Sequence, residues 1–263
     1  MMENFELIFL GTGAADWPFH PAGDMKYDQS GAIRRTSSLL IDRTYLIDPA
    51  PEAFFFASEV LKLDLTGLKG VFITHTHSDH YNHDCFMQFV NASKETVVLY
   101  CHETALPGLD LTEEDRKKIQ VHPLTVGKSE ELGCETVLPL AANHIVEETN
   151  ETTLHYIFQK GFKKFLYGCD GGWYLDKTWC VIRETCLDAV IFDGTVGAGR
   201  NDWRIGGHNS MEMVAILTDC MKNAGTLKEG SRVILSHLAK TLHRPDEDYG
   251  DWTVAQDGMK LEI

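Results

Sequence analysis

The run "VFITHTHSDHYNHD", residues 71–84, places four histidines and two aspartates in fourteen positions, directly after an apolar stretch. In an extended or loop segment, side chains two apart point the same way. His75 and His77 can therefore chelate one ion. Asp79 and His80 are expected past a bend, at the start of a helix, facing a second position. Neutral imidazole and carboxylate suit zinc, iron, manganese or nickel. The run holds no cysteine, which argues against a purely structural zinc site, where thiolates are usual. A lone histidine beside a strand is more often a satisfied polar residue than a ligand, but that does not explain four candidate ligands within six residues.

More donors sit where apolar strands are expected to end. "FELIFLGTG" (5–13) reads as a strand and tight turn, and "WPFHPAGDMKYDQSG" (17–31) as a long loop. "SSLLIDRTYLIDPA" (37–50) reads as a hairpin turning at Asp42-Arg43 and ending at Asp48. "EAFFFASEVLKL" (52–63) has helical spacing, and "GVFITH" (70–75) is a strand entering the histidine run. "ETVVLYCH" (95–102) is a strand, and "LTEEDRKKI" (111–119) a helix capped by Thr112 and Asp115. In the second half, "ETVLPLAANHIV" (135–146) is a strand ending at His144. "LHYIFQKGFKKFLYGCDGGW" (154–173) is a hairpin around Lys160-Gly161 whose second strand ends at Asp170. "LDAVIFDGT" (187–195) is a buried strand with a polar end. "HNSMEMVAILTDCMKNAG" (208–225) is a helix capped by Asn209 or Ser210 and by Gly225, and "SRVILSHLAKTLHRP" (231–245) a strand ending at His237. Strand ends along one edge of a sandwich are a rigid place to gather ligands from distant sequence.

With 263 residues and neither repeats nor a low-complexity linker, one continuous domain over residues 1–263 is expected. The start "MMENFELIFLGTG" has neither a basic n-region nor a long apolar span, so no signal peptide or membrane helix is expected. Seven cysteines without a CxxC pair point to free thiols in a reducing, cytoplasmic compartment. A net charge of −15 and no long Lys/Arg run disfavour nucleic acid and membrane surfaces as partners. A homodimer is compatible with this composition; the small anionic substrate expected follows from the metal core that the resemblance below implies.

"THTHSDH" resembles the HxHxDH signature of the metallo-β-lactamase superfamily, and the other motifs follow in that family's order: Asp48 in "YLIDPA", His144 in "AANHIV", Asp170 in "YGCDGG" and His237 in "ILSHLA". The resemblance runs from about residue 5 to about residue 245. It implies an α/β fold, a four-layer αββα sandwich of two mixed β-sheets with helices on the outer faces. It also implies two divalent ions on one edge, zinc or manganese, with iron or nickel admissible. His75, His77 and His144 would hold the first, Asp79, His80 and His237 the second, and Asp170 both. Asp48 would order the histidine loop from behind the ligands without touching a metal. Two divalent ions outweigh Asp79 and Asp170 and leave a core of about +2, a cationic pit suited to phosphate or carboxylate. Asp79 would also take a proton from the attacking water.

His208 in "GGHNSMEMV" resembles the histidine that the family's phosphodiesterase branches place before this helix. There it contacts the substrate phosphate and protonates the leaving oxygen; a plain helix cap is the alternative. The chain is most similar to the phosphoribosyl 1,2-cyclic phosphate phosphodiesterase branch. Type members of that branch often carry a cysteine-rich zinc loop, whereas residues 14–31 here contain no cysteine, so no third zinc is expected. His243, six residues after His237, has a counterpart in many small-molecule branches and is a weaker candidate for substrate binding. His20 and His83 read as solvated loop or helix-start residues, and Trp17 and Trp173 as pocket walls or core. The expected function is a dinuclear-metal hydrolase cleaving a small cyclic phosphodiester, with Asp79 and His208 catalytic. The alternatives are a lactonase or thioester hydrolase, a tRNA 3′-end endoribonuclease, and a non-catalytic metal-binding or sensor protein.

Overall fold

The computed structural model describes residues 4–18, 33–199, 201–243 and 247–263. In the first half lie β1 (Glu6–Gly11), β2 (Ser38–Ile41), β3 (Tyr45–Ile47), α1 (Ala53–Phe55), β4 (Gly70–Phe72), α2 (His83–Ala92), β5 (Val97–His102), α3 (Glu113–Lys118) and β6 (Ile119–Leu124). The second half carries β7 (Glu130–Glu131), β8 (Glu135–Ala141), β9 (Leu154–Lys160), β10 (Lys163–Gly168), α4 (Asp176–Arg183), β11 (Leu187–Asp193), α5 (Met211–Ala224), β12 (Leu227–Ser236), β13 (Thr253–Val254) and β14 (Lys260–Glu262). One sheet has the order β14-β1-β2-β3-β4-β5-β6, the other β13-β12-β11-β10-β9-β8-β7. Both are mixed: antiparallel from β14 to β3 and from β10 to β7, parallel elsewhere.

Alternation along the strands builds four layers. Leu7 and Phe9 of β1 point inward, to a core shared with Tyr156 and Phe158 of β9 and Phe165 of β10. Their neighbours Ile8 and Leu10 point outward, onto Phe56 and the α2 residues Phe86 and Phe89. On the far side, Val190 and Phe192 of β11 meet Ile182 of α4 and Val214, Leu217 and Met221 of α5. The period-two pattern with both faces apolar is what a sheet covered on both sides requires, and the result is the αββα sandwich.

The hairpin turns over residues 42–44, with Thr44 N–H bonded to the Ile41 carbonyl at 2.9 Å and Asp42 and Arg43 at positive φ, 51° and 54°, as the central pair of such a turn demands. The Thr112–Asp115 capping box is present on α3, and α5 is capped by Ser210 and by Gly225 at φ 77°. Helical turns over 53–60 match the expected helix, with Phe56–Val60 wound as a π-helix.

Three expectations are corrected. Asp79 and His80 do not open a helix. They lie in a turn in which His80 and Tyr81 donate their N–H groups to the His77 carbonyl, and α2 begins only at His83, capped by Asn82. β4 stops at Phe72, because the Thr74 N–H turns to Asp48 and not to a neighbouring strand. β8 stops at Ala141, so His144 stands on the following loop.

Candidate metal centre

All seven expected ligands converge at one edge of the sandwich. Asp170 and His237 arrive just past the ends of β10 and β12, and Asp48 just past β3. His75 Nε2 lies 2.9 Å from His77 Nδ1, which lies 3.1 Å from His144 Nε2. Asp170 Oδ2 completes this set, 3.5 Å from His75 and 3.3 Å from His144. A second set forms from His80 Nε2 and His237 Nε2, 3.1 Å apart, with Asp79 Oδ2 3.6 Å from each. The same Asp170 Oδ2 is 3.4 Å from His80 and 3.6 Å from His237. One carboxylate oxygen thus faces both sets.

The ring tautomers show what these atoms are arranged for. Thr74 Oγ1 donates to Asp48 Oδ2 (2.7 Å), so at 2.9 Å it accepts from His75 Nδ1–H. Asp48 Oδ2 accepts His80 Nδ1–H at 2.8 Å. Thr195 Oγ1 donates to the His237 carbonyl (2.8 Å) and accepts His237 Nδ1–H at 2.7 Å. The Nδ1 of His144 faces the Gly207 carbonyl at 3.4 Å. With the outer nitrogens of these four rings protonated, their Nε2 atoms turn lone pairs inward, beside Nδ1 of His77. Lone pairs about 3 Å apart repel unless a cation lies between them. Ligands 2.0–2.1 Å from a tetrahedral ion are about 3.3–3.4 Å apart, close to the spacings found. The donor sets therefore fit divalent metal ions, with Asp48, Thr74 and Thr195 as the outer partners that metal-ligating histidines require.

Burial and the neighbouring imidazoles hold His75 well below its ordinary pKa. Burial opposes charge on Asp79, but His80 and His237 more than offset it and take its carboxyl down to about 2.

His208 sits beside the second set, on the loop between β11 and α5. Its Nδ1 is 2.8 Å from Asp193 Oδ2 and 2.7 Å from Asp170 Oδ1. Burial resists protonation there, and the two carboxylates overcome it, pushing the imidazole up to about 11. Asp193 is fully buried and held in turn by the N–H groups of Gly171 (3.1 Å) and Thr195 (2.8 Å). Sequence reasoning missed both Asp193 and Thr195; the "DGT" at the end of a buried strand was the available signal. A cavity of about 390 Å³ opens over Asp79, Asp170, His208 and His237, with Asp16, Trp203 and Arg204 on its walls. Trp203 and Arg204 carry no sequence signal.

Other candidates lie elsewhere. His243 is turned away from this cavity: Nε2 meets the Gly194 carbonyl at 2.6 Å and Nδ1 the Tyr249 hydroxyl at 2.8 Å, so both nitrogens are spent on bracing a loop. His83 opens α2 and bonds Asp115 at 3.0 Å. Trp17 donates to the Leu238 carbonyl (2.7 Å) and walls an adjoining recess that reaches Asp79, whereas Trp173 does not line the cavity. His20 and most of the cysteine-free loop lie outside the described residues.

Residues 43–238 match the Beta-lactamase superfamily domain. The chain belongs to this superfamily. Its sandwich is the metallo-β-lactamase fold, shared with YhfI from Bacillus subtilis (TM-score 0.72, 17% identity, 99% of this chain and 100% of that one). It is also shared with a diphosphatase from the PhnP family (TM-score 0.70, 18% identity, 98% of each chain) and Zn(2+)-bound PqqB from Methylobacterium extorquens (TM-score 0.71, 17% identity, 98% and 100%). No curated protein sequence matches the chain. Membership makes the chain a metal-dependent hydrolase by family, and the family implies divalent ions where the His/Asp sets converge. Among the described residues no helix is long and apolar enough to cross a membrane.

Proposed function

We propose that this superfamily member hydrolyses a small, anionic phosphodiester, a cyclic one by the resemblance of its motifs. Under this reading His75, His77 and His144 hold one divalent ion, Asp79, His80 and His237 another, and Asp170 contacts both. Zinc or manganese suits these donors best, with iron or nickel admissible. When bound, two such ions supply an activated water and neutralise phosphate charge.

The observation that carries the reading is the clamp on His208. Its Nδ1 is tied between Asp170 and Asp193, two negative charges that favour the imidazolium. Nε2–H is then the proton left to meet a phosphate oxygen and pass to the departing alkoxide. Alkoxide loss from phosphorus needs such an acid; opening a thioester, which expels a thiolate, depends on it far less. Asp79 lines the same cavity and, ionised, can accept the proton of the attacking water. The diphosphatase from the PhnP family supports the reading by analogy of fold.

The test is hydrolysis of bis(p-nitrophenyl) phosphate with Mn²⁺, Zn²⁺ or Ni²⁺, wild type beside His208→Ala. Turnover should require metal; with metal content retained, the variant should lose about 10²–10⁴-fold on a diester that expels an alkoxide, such as a 2′,3′-cyclic nucleotide, and much less on the p-nitrophenyl ester, whose leaving group needs no proton. Metal-loaded protein without phosphodiester turnover would overturn the proposal and direct attention to lactones and thioesters.

A further inference from the structure

Trp203 and Ile145 are among the most exposed large apolar side chains described, at 86% and 70%. Both stand at the mouth of the metal centre. Ile145 follows His144, and Trp203 starts the short turn Trp203–Gly206 that leads to His208. A groove of about 450 Å³ runs from His77, His144 and His208 outward between them. Trp203 also walls the cavity over Asp79, Asp170 and His237, so its ring stands at the junction of the two spaces.

We infer that this groove is a subsite for a planar, uncharged ring carried by the substrate beside its phosphate, with the ring stacked on Trp203 and backed by Ile145. The inference rests on the phosphodiester reading above and adds the second half of the substrate. Three observations bear on it. The turn that carries the indole is held in place: Asp202 accepts from the Arg204 N–H (3.0 Å) and grips its guanidinium at 2.7 and 3.0 Å, while His208 N–H bonds the Arg204 carbonyl at 2.9 Å. A backbone fixed before binding leaves only the side-chain rotamers to be ordered on stacking. Next, Gly206 lines the groove, and a Cβ there would meet nothing within 4 Å, so the space beside the indole is open. Finally, the exposed Glu147 and Glu148 line the same groove. Carboxylates there repel a second anionic group and accept from N–H donors, which favours a ring with amino or imino edges, as in a nucleobase, over a second phosphate or a carboxylate.

The experiment uses metal-loaded wild type, Trp203→Ala and Trp203→Phe. Each is titrated calorimetrically with phenylphosphonate and methylphosphonate, which share the anionic head and differ in the ring. One stacking contact should make the phenyl ligand bind on the order of tenfold tighter in wild type. The ratio should fall to about one in Trp203→Ala and largely return in Trp203→Phe. The kcat/KM ratio for phenyl against methyl p-nitrophenyl phosphate, which share a leaving group, should follow the same pattern. A ratio near one in wild type, or the same ratio in Trp203→Ala, overturns the subsite. If neither ester is turned over, the phosphodiester reading fails, and the titration ratios still decide the subsite.

Discussion

Asp48→Asn changes one atom in a fully buried residue and should weaken metal binding without disturbing the backbone. Asp48 sits at φ 54°, a conformation that asparagine adopts readily. Its Oδ1 accepts the Thr74 N–H at 2.8 Å, and its Oδ2 accepts both the Thr74 hydroxyl (2.7 Å) and His80 Nδ1–H (2.8 Å). Every partner is a donor, so an amide fits in neither orientation. With NH₂ toward the Thr74 N–H, two buried donors face each other, at about 1–3 kcal/mol. With NH₂ toward His80, the imidazole must move its proton to Nε2, the atom 3.1 Å from His237 Nε2 and 3.4 Å from Asp170 Oδ2. That proton occupies the lone pair meant for the metal. Loss of such an outer partner costs 10–100-fold in affinity, about 1.4–2.8 kcal/mol. Competition against a chromogenic chelator should show the equivalent held with His80 weakened by that factor, and the equivalent held by His75, His77 and His144 affected less. Two equivalents bound with wild-type affinity would refute the tautomer argument.

His155 is fully buried, and burial depresses its imidazole to about 4 despite the Asp170 carbonyl beside it. Above pH 6.5 the ring is neutral folded or unfolded; from there down to about 4 only the unfolded chain takes up the proton, so stability falls across that window. Denaturant titrations from pH 7 to 4 should show this loss in wild type and less of it in His155→Gln, which keeps a donor toward Asp170; identical pH slopes would count against it. Gly11→Ala should destabilise by more than about 2 kcal/mol, because its Cβ would stand 1.9 Å from the backbone oxygen of Thr36; a melting temperature within a degree of wild type would contradict that.

Much of this site was legible because its ligands either cluster or terminate apolar runs. His75 to His80 stand side by side in sequence, and Asp48, Asp170 and His237 follow strands whose alternation is plain. What failed was local geometry. Nothing in "THTHSDHYN" distinguishes a turn closed on the His77 carbonyl from the first turn of a helix, and the helix cap proved to be Asn82. The apolar runs extend through Thr74 and to His144, but the strands end sooner, because residue type carries no record of where a backbone N–H finds its acceptor. His243 has the spacing of a site residue, yet Gly194 and Tyr249 claim both its nitrogens. Asp193 and Thr195 were hidden for the opposite reason: a "DGT" after a buried strand reads as a turn, and only the fold brings it under His208 and His237. Trp203 has no period and no motif; its meaning comes from the groove it walls.

Asp170 links the two halves of the proposed chemistry, and this makes His208 a more demanding test than loss of turnover alone. Oδ2 of Asp170 faces both donor sets, while Oδ1 lies 2.7 Å from His208 Nδ1. A protonated His208 therefore competes with metal for the same carboxylate charge. At an effective dielectric near 20, two unit charges about 4 Å apart interact by about 4 kcal/mol, so even a third of that amounts to roughly tenfold in affinity. Removing the imidazolium in His208→Ala should tighten metal binding at neutral pH while turnover collapses. Asp193 remains satisfied by the Gly171 and Thr195 N–H groups, so the variant does not leave it bare. Metal binding and activity then move in opposite directions, whereas Asp48→Asn weakens binding. If His208→Ala instead loosens the metals, the ring is serving to orient Asp170 as a neutral partner, and its assignment as the proton donor fails with the charge it was given.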